Sequence, residues 1–114
     1  MPTVTVHVVW PDGLASLPPD ARARVTVEDV TVLDAPSVVV GETVVDGLTP
    51  SDEPQVEVLI GTVDPTADLV VRVHVVPGAR RGEQVEKGDL VTTEAYPVLT
   101  RDHGAEVTVR PRSV

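Results

Sequence analysis

The chain of 114 residues contains no cysteine and no phenylalanine, and it has a single tryptophan, Trp10, and a single tyrosine, Tyr96. The absence of cysteine excludes a disulfide, a thiol nucleophile, a thiolate metal site and a lipidated cysteine in this sequence. Because phenylalanine is missing, the core must be built from valine, leucine, isoleucine and alanine. A chain of this length has the commonest domain size, so we expect one domain, residues 1–114, that needs neither a disulfide nor a metal.

Positive charge is also scarce. The 9 lysine and arginine residues face 18 acidic residues, which gives a formal net charge of −9 at pH 7. This balance disfavours nucleic acid and anionic membrane surfaces as partners. The one adjacent basic pair, Arg80 and Arg81, lies in an apparent loop between two glycines, and we interpret it as a solvated hairpin tip. We therefore expect no nucleic-acid partner.

Long hydrophobic runs are absent as well. No apolar run approaches the roughly 20 residues needed to span a bilayer. The stretch after Met1 lacks the basic and apolar regions of an export signal. The sequence as given therefore predicts no direct membrane insertion and a cytoplasmic protein, or a cell-envelope protein if the chain is a trimmed mature segment.

Valine dominates the apolar residues and recurs at every second position in several segments. A period of two is typical of half-buried strands, and the segments are separated by turns rich in proline, glycine and aspartate. The pattern predicts an all-β fold, an antiparallel β-sandwich of about seven strands. The candidate strands are Thr3–Val9, Arg22–Val32, Val38–Val45, Gln55–Ile60, Leu69–Val76, Leu90–Ala95 and Ala105–Arg110.

The alternation also assigns side chains to faces. The residues expected to be buried are Val6, Val25, Val27, Val58, Val71, Val73, Val107 and Val109. Those expected to be mostly exposed are Thr5, Thr26, Glu57, Arg72, Thr108 and Arg110. In the second candidate strand the apolar phase changes from Val25 and Val27 to Val30 and Val32, which predicts a β-bulge at Glu28 and Asp29.

The histidines are weak candidates for a metal site. His7 and His74 alternate with valines, so each is expected to point away from the buried face, and His103 lies in a turn. A structural zinc site takes four ligands and commonly uses cysteine. We interpret the three histidines as surface residues and expect no metal or other cofactor.

Acidic residues are plentiful in the loops, and they provide the alternative hypothesis of a small-molecule or calcium-binding domain. They are Asp46, Asp52, Glu53, Asp64, Asp68 and Asp102. Calcium prefers such oxygen ligands, but the spacing matches no dense calcium loop. The serines have no glycine-flanked elbow around them, and paired carboxylates would need a cleft that the sequence does not indicate. We therefore expect a protein that is not an enzyme.

Two stretches of the chain resemble the YbaY-like lipoprotein domain family, which is grouped with the YscW-type pilotins of bacterial type III secretion. The first stretch runs from Leu17-Pro18-Pro19-Asp20-Ala21 through Val25-Thr26-Val27 and Asp29-Val30 to Asp34-Ala35-Pro36-Ser37-Val38-Val39. The second is Ala95-Tyr96-Pro97-Val98-Leu99-Thr100, similar to the family's "AYPVLT". Together with Asp64-Pro65 before Leu69-Val70-Val71-Arg72-Val73, the matches keep the family order.

The resemblance implies a small antiparallel β-sandwich without catalytic residues to carry over. Members of the family are typically lipoproteins anchored through an N-terminal cysteine, and pilotins help an outer-membrane secretin to localise or assemble. Here no such cysteine is present, so we expect a module that binds a protein partner or helps it assemble. We expect the motif residues to specify the fold, with the Tyr96 ring packed under the sheet and its hydroxyl bonded to a backbone carbonyl.

A protein partner needs a surface, and the strand candidate Val38–Val45 provides one. Its valines are dense, and the stretch contains no proline. Val39 and Val45 fall on the phase opposite Val38, Val40 and Val44, so we predict that Val39 and Val45 contact the partner if this is an edge strand. The competing interpretation is a strand buried on both faces.

Overall fold

The computed structural model describes residues 3–10, 21–32, 35–48, 54–61, 64, 66–76, 89–100 and 104–113. Within these ranges the chain forms eight strands and no helix. The strands are β1 (Thr3–Val8), β2 (Arg22–Asp29), β3 (Val38–Val45), β4 (Gln55–Leu59), β5 (Leu69–Val76), β6 (Leu90–Val91), β7 (Glu106–Val109) and β8 (Arg112–Ser113). The Arg80–Arg81 pair, His103, Asp52, Glu53, Asp102 and the segment 17–20 lie outside the described residues.

The strands form two sheets, and the all-β sandwich is confirmed. The larger sheet has the order β3-β2-β5-β6-β8, and all its neighbours are antiparallel. The smaller sheet has the order β4-β1-β7, in which β4 is antiparallel to β1 and β7 is parallel to it. The parallel β1–β7 pair was not expected, because alternation along one strand carries no information about the direction of its neighbour.

The core lies between the inner faces of the two sheets. Valines dominate it, joined by Ile60, Leu69 and Leu90 among the largest fully buried side chains. Seven of the eight valines expected to be buried are buried, and Val107 is half-buried. Valine fills this space well because its branched side chain is stiff and fits the pleated surface of a sheet.

The expectation for Thr26 was wrong. Thr5 is half-buried, and the other four residues expected to be exposed are exposed, but Thr26 is only 4% exposed. Its cross-strand neighbours are Glu42 on β3 and Arg72 on β5, whose longer side chains flank it. The Thr26 hydroxyl donates to Glu28 Oε2 at 2.7 Å, which satisfies the buried group.

The pairing of β2 with β3 contains a β-bulge at the position where the changed alternation of valines in β2 predicted one. The register between β2 and β3 shifts between Val27 and Glu28, which pair with Gly41 and Val39. Val40 is therefore the extra residue, and the bulge belongs to β3 rather than β2. β2 itself ends at Asp29, so the predicted strand end at Val32 was wrong, and Val32 lies beyond the strand with an exposed side chain.

Truncation of a core valine tests these face assignments. Val73 is buried on the inner face of β5, whereas Val39 is an exposed valine on β3. We expect Val73→Ala to lower the free energy of unfolding by about 1 to 3 kcal/mol, because it removes two buried methyl groups. Val39→Ala, the control, should change it by less than about 0.5 kcal/mol. Urea denaturation measures both, and equal effects would contradict the assignment.

Candidate protein-binding surface

The edge strands β3 and β4 of the two sheets lie side by side, and we call their contact the seam. The Thr43 hydroxyl on β3 donates to the Glu57 carbonyl on β4 at 2.8 Å. Two residues earlier, Gly41 lies so close to β4 that a Cβ placed on it would be 2.6 Å from the Leu59 carbonyl oxygen. Only glycine permits this approach, so the backbone of β3 packs directly against β4 at this point.

The described chain has five exposed large hydrophobic residues, and four of them lie on β3 or β4. The five are Val32, Val38, Val39, Val44 and Leu59, with exposures from 45% to 66%, and we call them the seam patch. Val32 precedes β3, three of the others lie on β3, and Leu59 lies on β4. Exposed hydrophobic side chains concentrated in one region are typical of protein-binding surfaces, whereas scattered ones need no explanation.

The structure places the two predicted contact residues on different faces of β3. Val39 pairs with Glu28 and lies on the outer face, where it is part of the seam patch. Val45 pairs with Ala23, whose side chain is buried, and Val45 itself is half-buried and packs against the core. The bulge at Val40 separates the two phases, so only Val39 is displayed to solvent. Partner contact by either residue remains a prediction.

Glu28 fixes the position of the segment that leads into β3. Its carboxylate accepts hydrogen bonds from the hydroxyls of Thr26 and Ser37, and it lies 3.7 Å from Arg72 Nε. Ser37 directly precedes β3, so this contact ties the start of β3 to β2 and β5. Further along β3, Glu42 pairs with Arg24 at 2.6 Å. These contacts hold the seam patch on a defined edge of the sheet.

The "AYPVLT" stretch has a structural role in this fold. The Tyr96 carbonyl accepts the Val71 N–H at 3.0 Å, and the Tyr96 hydroxyl accepts the Arg110 N–H at 3.1 Å. The hydroxyl therefore has a backbone partner, an N–H at the end of β7, and the expected bond to a backbone carbonyl stays a prediction. Tyr96 therefore links β5 of the larger sheet to the end of β7 in the smaller sheet, and its side chain packs against the core.

The remaining residues of this stretch attach it to the start of β5. The Val98 N–H donates to the Leu69 carbonyl at 3.1 Å, and the buried Thr100 hydroxyl donates to the Ala67 carbonyl at 2.6 Å. Leu99 between them has a φ of 65°, which is uncommon for a residue other than glycine. Its N–H donates to the Gly104 carbonyl at 2.9 Å, which helps to hold this conformation.

The structure places the described histidines on different sheets. His7 on β1 and His74 on β5 are both half-buried and do not meet. His74 Nε2 lies 2.8 Å from Oδ2 of Asp89, a carboxylate that is almost fully buried. In the described ranges no group of three or more histidine, aspartate and glutamate side chains is arranged to hold a metal ion.

The described acidic loops use their carboxylates to close turns. The Asp64 carboxylate accepts the N–H and the hydroxyl of Thr66 at 2.8 and 2.7 Å, and these bonds, the N–H first, hold its pKa below the ordinary value. Asp29 accepts the same two groups from Thr31, and there the hydroxyl contributes most to the lowered pKa. Both are turns in which an aspartate bonds the backbone two residues on. Calcium binding by the acidic loops stays a prediction.

Comparison with known proteins found no matching family and no matching curated sequence. Among solved structures, an alternative pilotin from the type II secretion system of Vibrio cholerae is similar to this chain, with a TM-score of 0.71. The sequences are 16% identical, and the similarity covers 98% of this chain and 97% of the pilotin chain. The chain therefore has a pilotin-like fold. None of the described residues belongs to a helix long and apolar enough to cross a membrane.

The close approach at Gly41 can be tested by adding one methyl group. In Gly41→Ala the new Cβ would meet the Leu59 carbonyl oxygen at 2.6 Å, and a backbone atom cannot move away without opening the seam. We expect a loss of about 1 to 3 kcal/mol in the free energy of unfolding, measured by urea denaturation. Gly61→Ala is the control because nothing lies within 4 Å of the position that its new methyl group would occupy. Equal stability of the two variants would refute the tight seam.

The pKa of Asp29 provides a test of its turn. A carboxyl whose pKa is lowered by folding contributes stability above its unfolded-state pKa of about 3.9, and that contribution is lost as the pH falls through the folded-state pKa. Thr31→Val removes the hydroxyl, the largest cause of the lowering, so the Asp29 pKa should rise toward its ordinary value in an NMR titration. Thr66→Val should raise the Asp64 pKa less, because the N–H that contributes most there is retained. The opposite order would contradict this assignment.

Proposed function

We propose that the protein is a non-enzymatic, pilotin-like adaptor that binds a protein partner through the seam patch and assists its assembly. The observation that carries this proposal is the position of the exposed hydrophobic residues. Of the five large hydrophobic side chains that are exposed in the described chain, four lie on the strands of the seam, three on β3 and one on β4. Exposed hydrophobic side chains on neighbouring strands do not stabilise the fold of an acidic protein, whereas a protein-binding surface explains them.

The surroundings of the patch fit a protein interface. Val39 and Val44 lie on the outer face of β3, and the ion pair between Arg24 and Glu42 lies beside them. Apolar contacts beside polar groups that stay accessible to water are the usual composition of a protein-binding surface. Because β3 already pairs with β2 along one side and contacts β4 at Gly41, a partner would bind mainly through side chains.

Two independent similarities support a pilotin-like role. The fold is shared with a pilotin of a type II secretion system, and the ordered motifs of the sequence resemble the YbaY-like family with its YscW-type pilotins. We propose that the chain belongs to that family and that its partner is a secretin subunit. The sequence resemblance carries over no catalytic residue, which supports a role in binding rather than catalysis.

Photo-crosslinking tests the proposed partner surface. A benzophenone amino acid at position 39 should crosslink to a secretin subunit in the source cell, identified by mass spectrometry. The same label at Thr108, an exposed residue on the other sheet, should not. Equal crosslinking from both positions, or none from position 39, would refute the proposal.

A charge substitution provides the second arm of the test. Val39→Lys should leave the free energy of unfolding within about 0.5 kcal/mol of the parent, because residue 39 is exposed. It should weaken crosslinking from a label at Val44, since a lysine in the patch must be desolvated against apolar partner groups. Thr108→Lys adds the same charge elsewhere and should have no effect. Unfolding of the Val39→Lys variant would show that residue 39 is not a surface residue.

A further inference from the structure

The outer face of the larger sheet carries most of the described arginines, together with the carboxylates of Glu28 and Glu42, in a chain whose net charge is −9. One cross-strand row runs through all five strands in the order Val44, Arg24, His74, Val91 and Arg112. Arg22 and Arg72 lie on the same face by strand alternation. This face therefore carries four of the five arginine and lysine residues in the described part of the chain.

A groove follows β5 across this face. One depression of about 230 Å³ has Arg24, Glu28, Arg72 and Thr92 in its lining. A second, of about 320 Å³, has Arg72, Thr92 and Glu94 in its lining. Arg72 and Thr92 line both depressions, so the two adjoin at these residues, and we call them together the groove.

The segment 93–95 forms one wall of the groove because the chain there leaves the sheet. The Thr92 N–H donates to the Val73 carbonyl at 3.1 Å, and the Tyr96 carbonyl accepts the Val71 N–H at 3.0 Å. The chain thus advances four residues, from Thr92 to Tyr96, while β5 advances only two, from Val73 to Val71. The extra residues cannot stay paired with β5, and they stand beside the groove.

Within the groove the arginines are exposed, and of the two glutamates that line it Glu28 is recessed whereas Glu94 is exposed. The Arg72 side chain is 57% exposed, whereas the Glu28 side chain is 12% exposed and already accepts two hydroxyl groups. Arg72 Nε lies 3.7 Å from Glu28, too far for a hydrogen bond, and the described residues offer its guanidinium no hydrogen-bond acceptor. Arg24 is also exposed, and its carboxylate partner Glu42 lies toward β3, outside the groove lining.

From this charge distribution we propose that the groove binds an extended acidic peptide segment of a protein, with carboxylates seated on Arg72 and Arg24. The planar guanidinium binds carboxylates through two parallel hydrogen bonds, and an exposed pair such as Arg24–Glu42 is weak enough to be exchanged. The groove accompanies Val70–His74, a span of about 13 Å, which fits four or five extended residues. Nucleic acids and anionic bilayers extend far beyond this span and would meet the net negative charge of the chain.

This inference goes beyond the seam patch and is tested separately, by fluorescence anisotropy on the full chain. The probe is a labelled peptide that alternates glutamate and serine, and the control peptide has glutamine in place of glutamate. The glutamate peptide should bind, and its affinity should fall as salt is raised. Absence of binding at low salt, or equal binding of the two peptides, would overturn the proposal.

Matched variants distinguish the groove from general charge attraction. Arg72→Gln should weaken peptide binding about threefold to tenfold, the range expected for one charge-assisted contact at an exposed site. Arg110→Gln makes the same charge change outside this face and should leave the affinity within about twofold, since distant exposed charges are screened. Equal losses would overturn the proposal, and circular dichroism confirms that both variants are folded.

Substitutions of the opposite sign complete the test. Glu94 lines the groove, whereas Glu106 lies on β7 of the smaller sheet, and both are exposed. Glu94→Gln should strengthen binding of the glutamate peptide, and Glu106→Gln should not.

Competition with single-stranded DNA and with phosphatidylglycerol vesicles decides the partner class. Each competitor is compared at equal concentration of negative charges. If the DNA or the vesicles displace the labelled peptide at a lower concentration than the unlabelled glutamate peptide does, the acidic peptide is not the preferred occupant and the proposal fails.

Discussion

The close approach of β3 to β4 at Gly41 is the contact on which the shape of this sandwich depends. At the opposite side the chain itself connects the sheets, because only Arg110 and Pro111 separate β7 from β8. At the seam β3 and β4 are consecutive strands of the chain, and they contact each other at the Gly41 backbone and through the Thr43 hydroxyl bonded to the Glu57 carbonyl. A core of valines, whose side chains are short, requires the sheets to come this close. A larger residue at position 41 would leave a gap that these side chains cannot fill.

The same contact explains why hydrophobic residues remain exposed beside it. A free edge strand is a hazard because its unpaired backbone groups can pair with another chain, and proteins commonly protect such edges with charge, proline or a bulge. Here β4 covers the middle of β3, and the bulge at Val40 interrupts the strand near its start. The edge is thus protected by packing rather than by charge. Val38 and Val39 remain exposed on a strand that is a poor template for aggregation.

Alternation in the sequence determines faces within a strand, and it predicted β1, β2, β3, β4, β5 and β7 with most of the buried valines. It does not determine which strands are neighbours. Thr26 is buried because Glu42 and Arg72 flank it, and those neighbours are known only from the register. For the same reason the parallel β1–β7 pair and the arginine row could not be predicted. Alternation placed Val39 and Val45 on the same face of β3. The bulge at Val40 puts them on different faces, and it could not be predicted because the residues around it are also valines.

The seam patch and the groove adjoin, because Val44 and Arg24 are direct cross-strand neighbours. Apolar contacts supply affinity without direction, whereas charged contacts steer and orient an approaching partner. In a chain of net charge −9 the exposed arginines of this face are described groups that can attract an acidic partner. If both proposals hold, one partner that carries carboxylates beside an apolar segment would be oriented by the groove and bound by the patch. The four arginines of this face would then make binding at the seam selective.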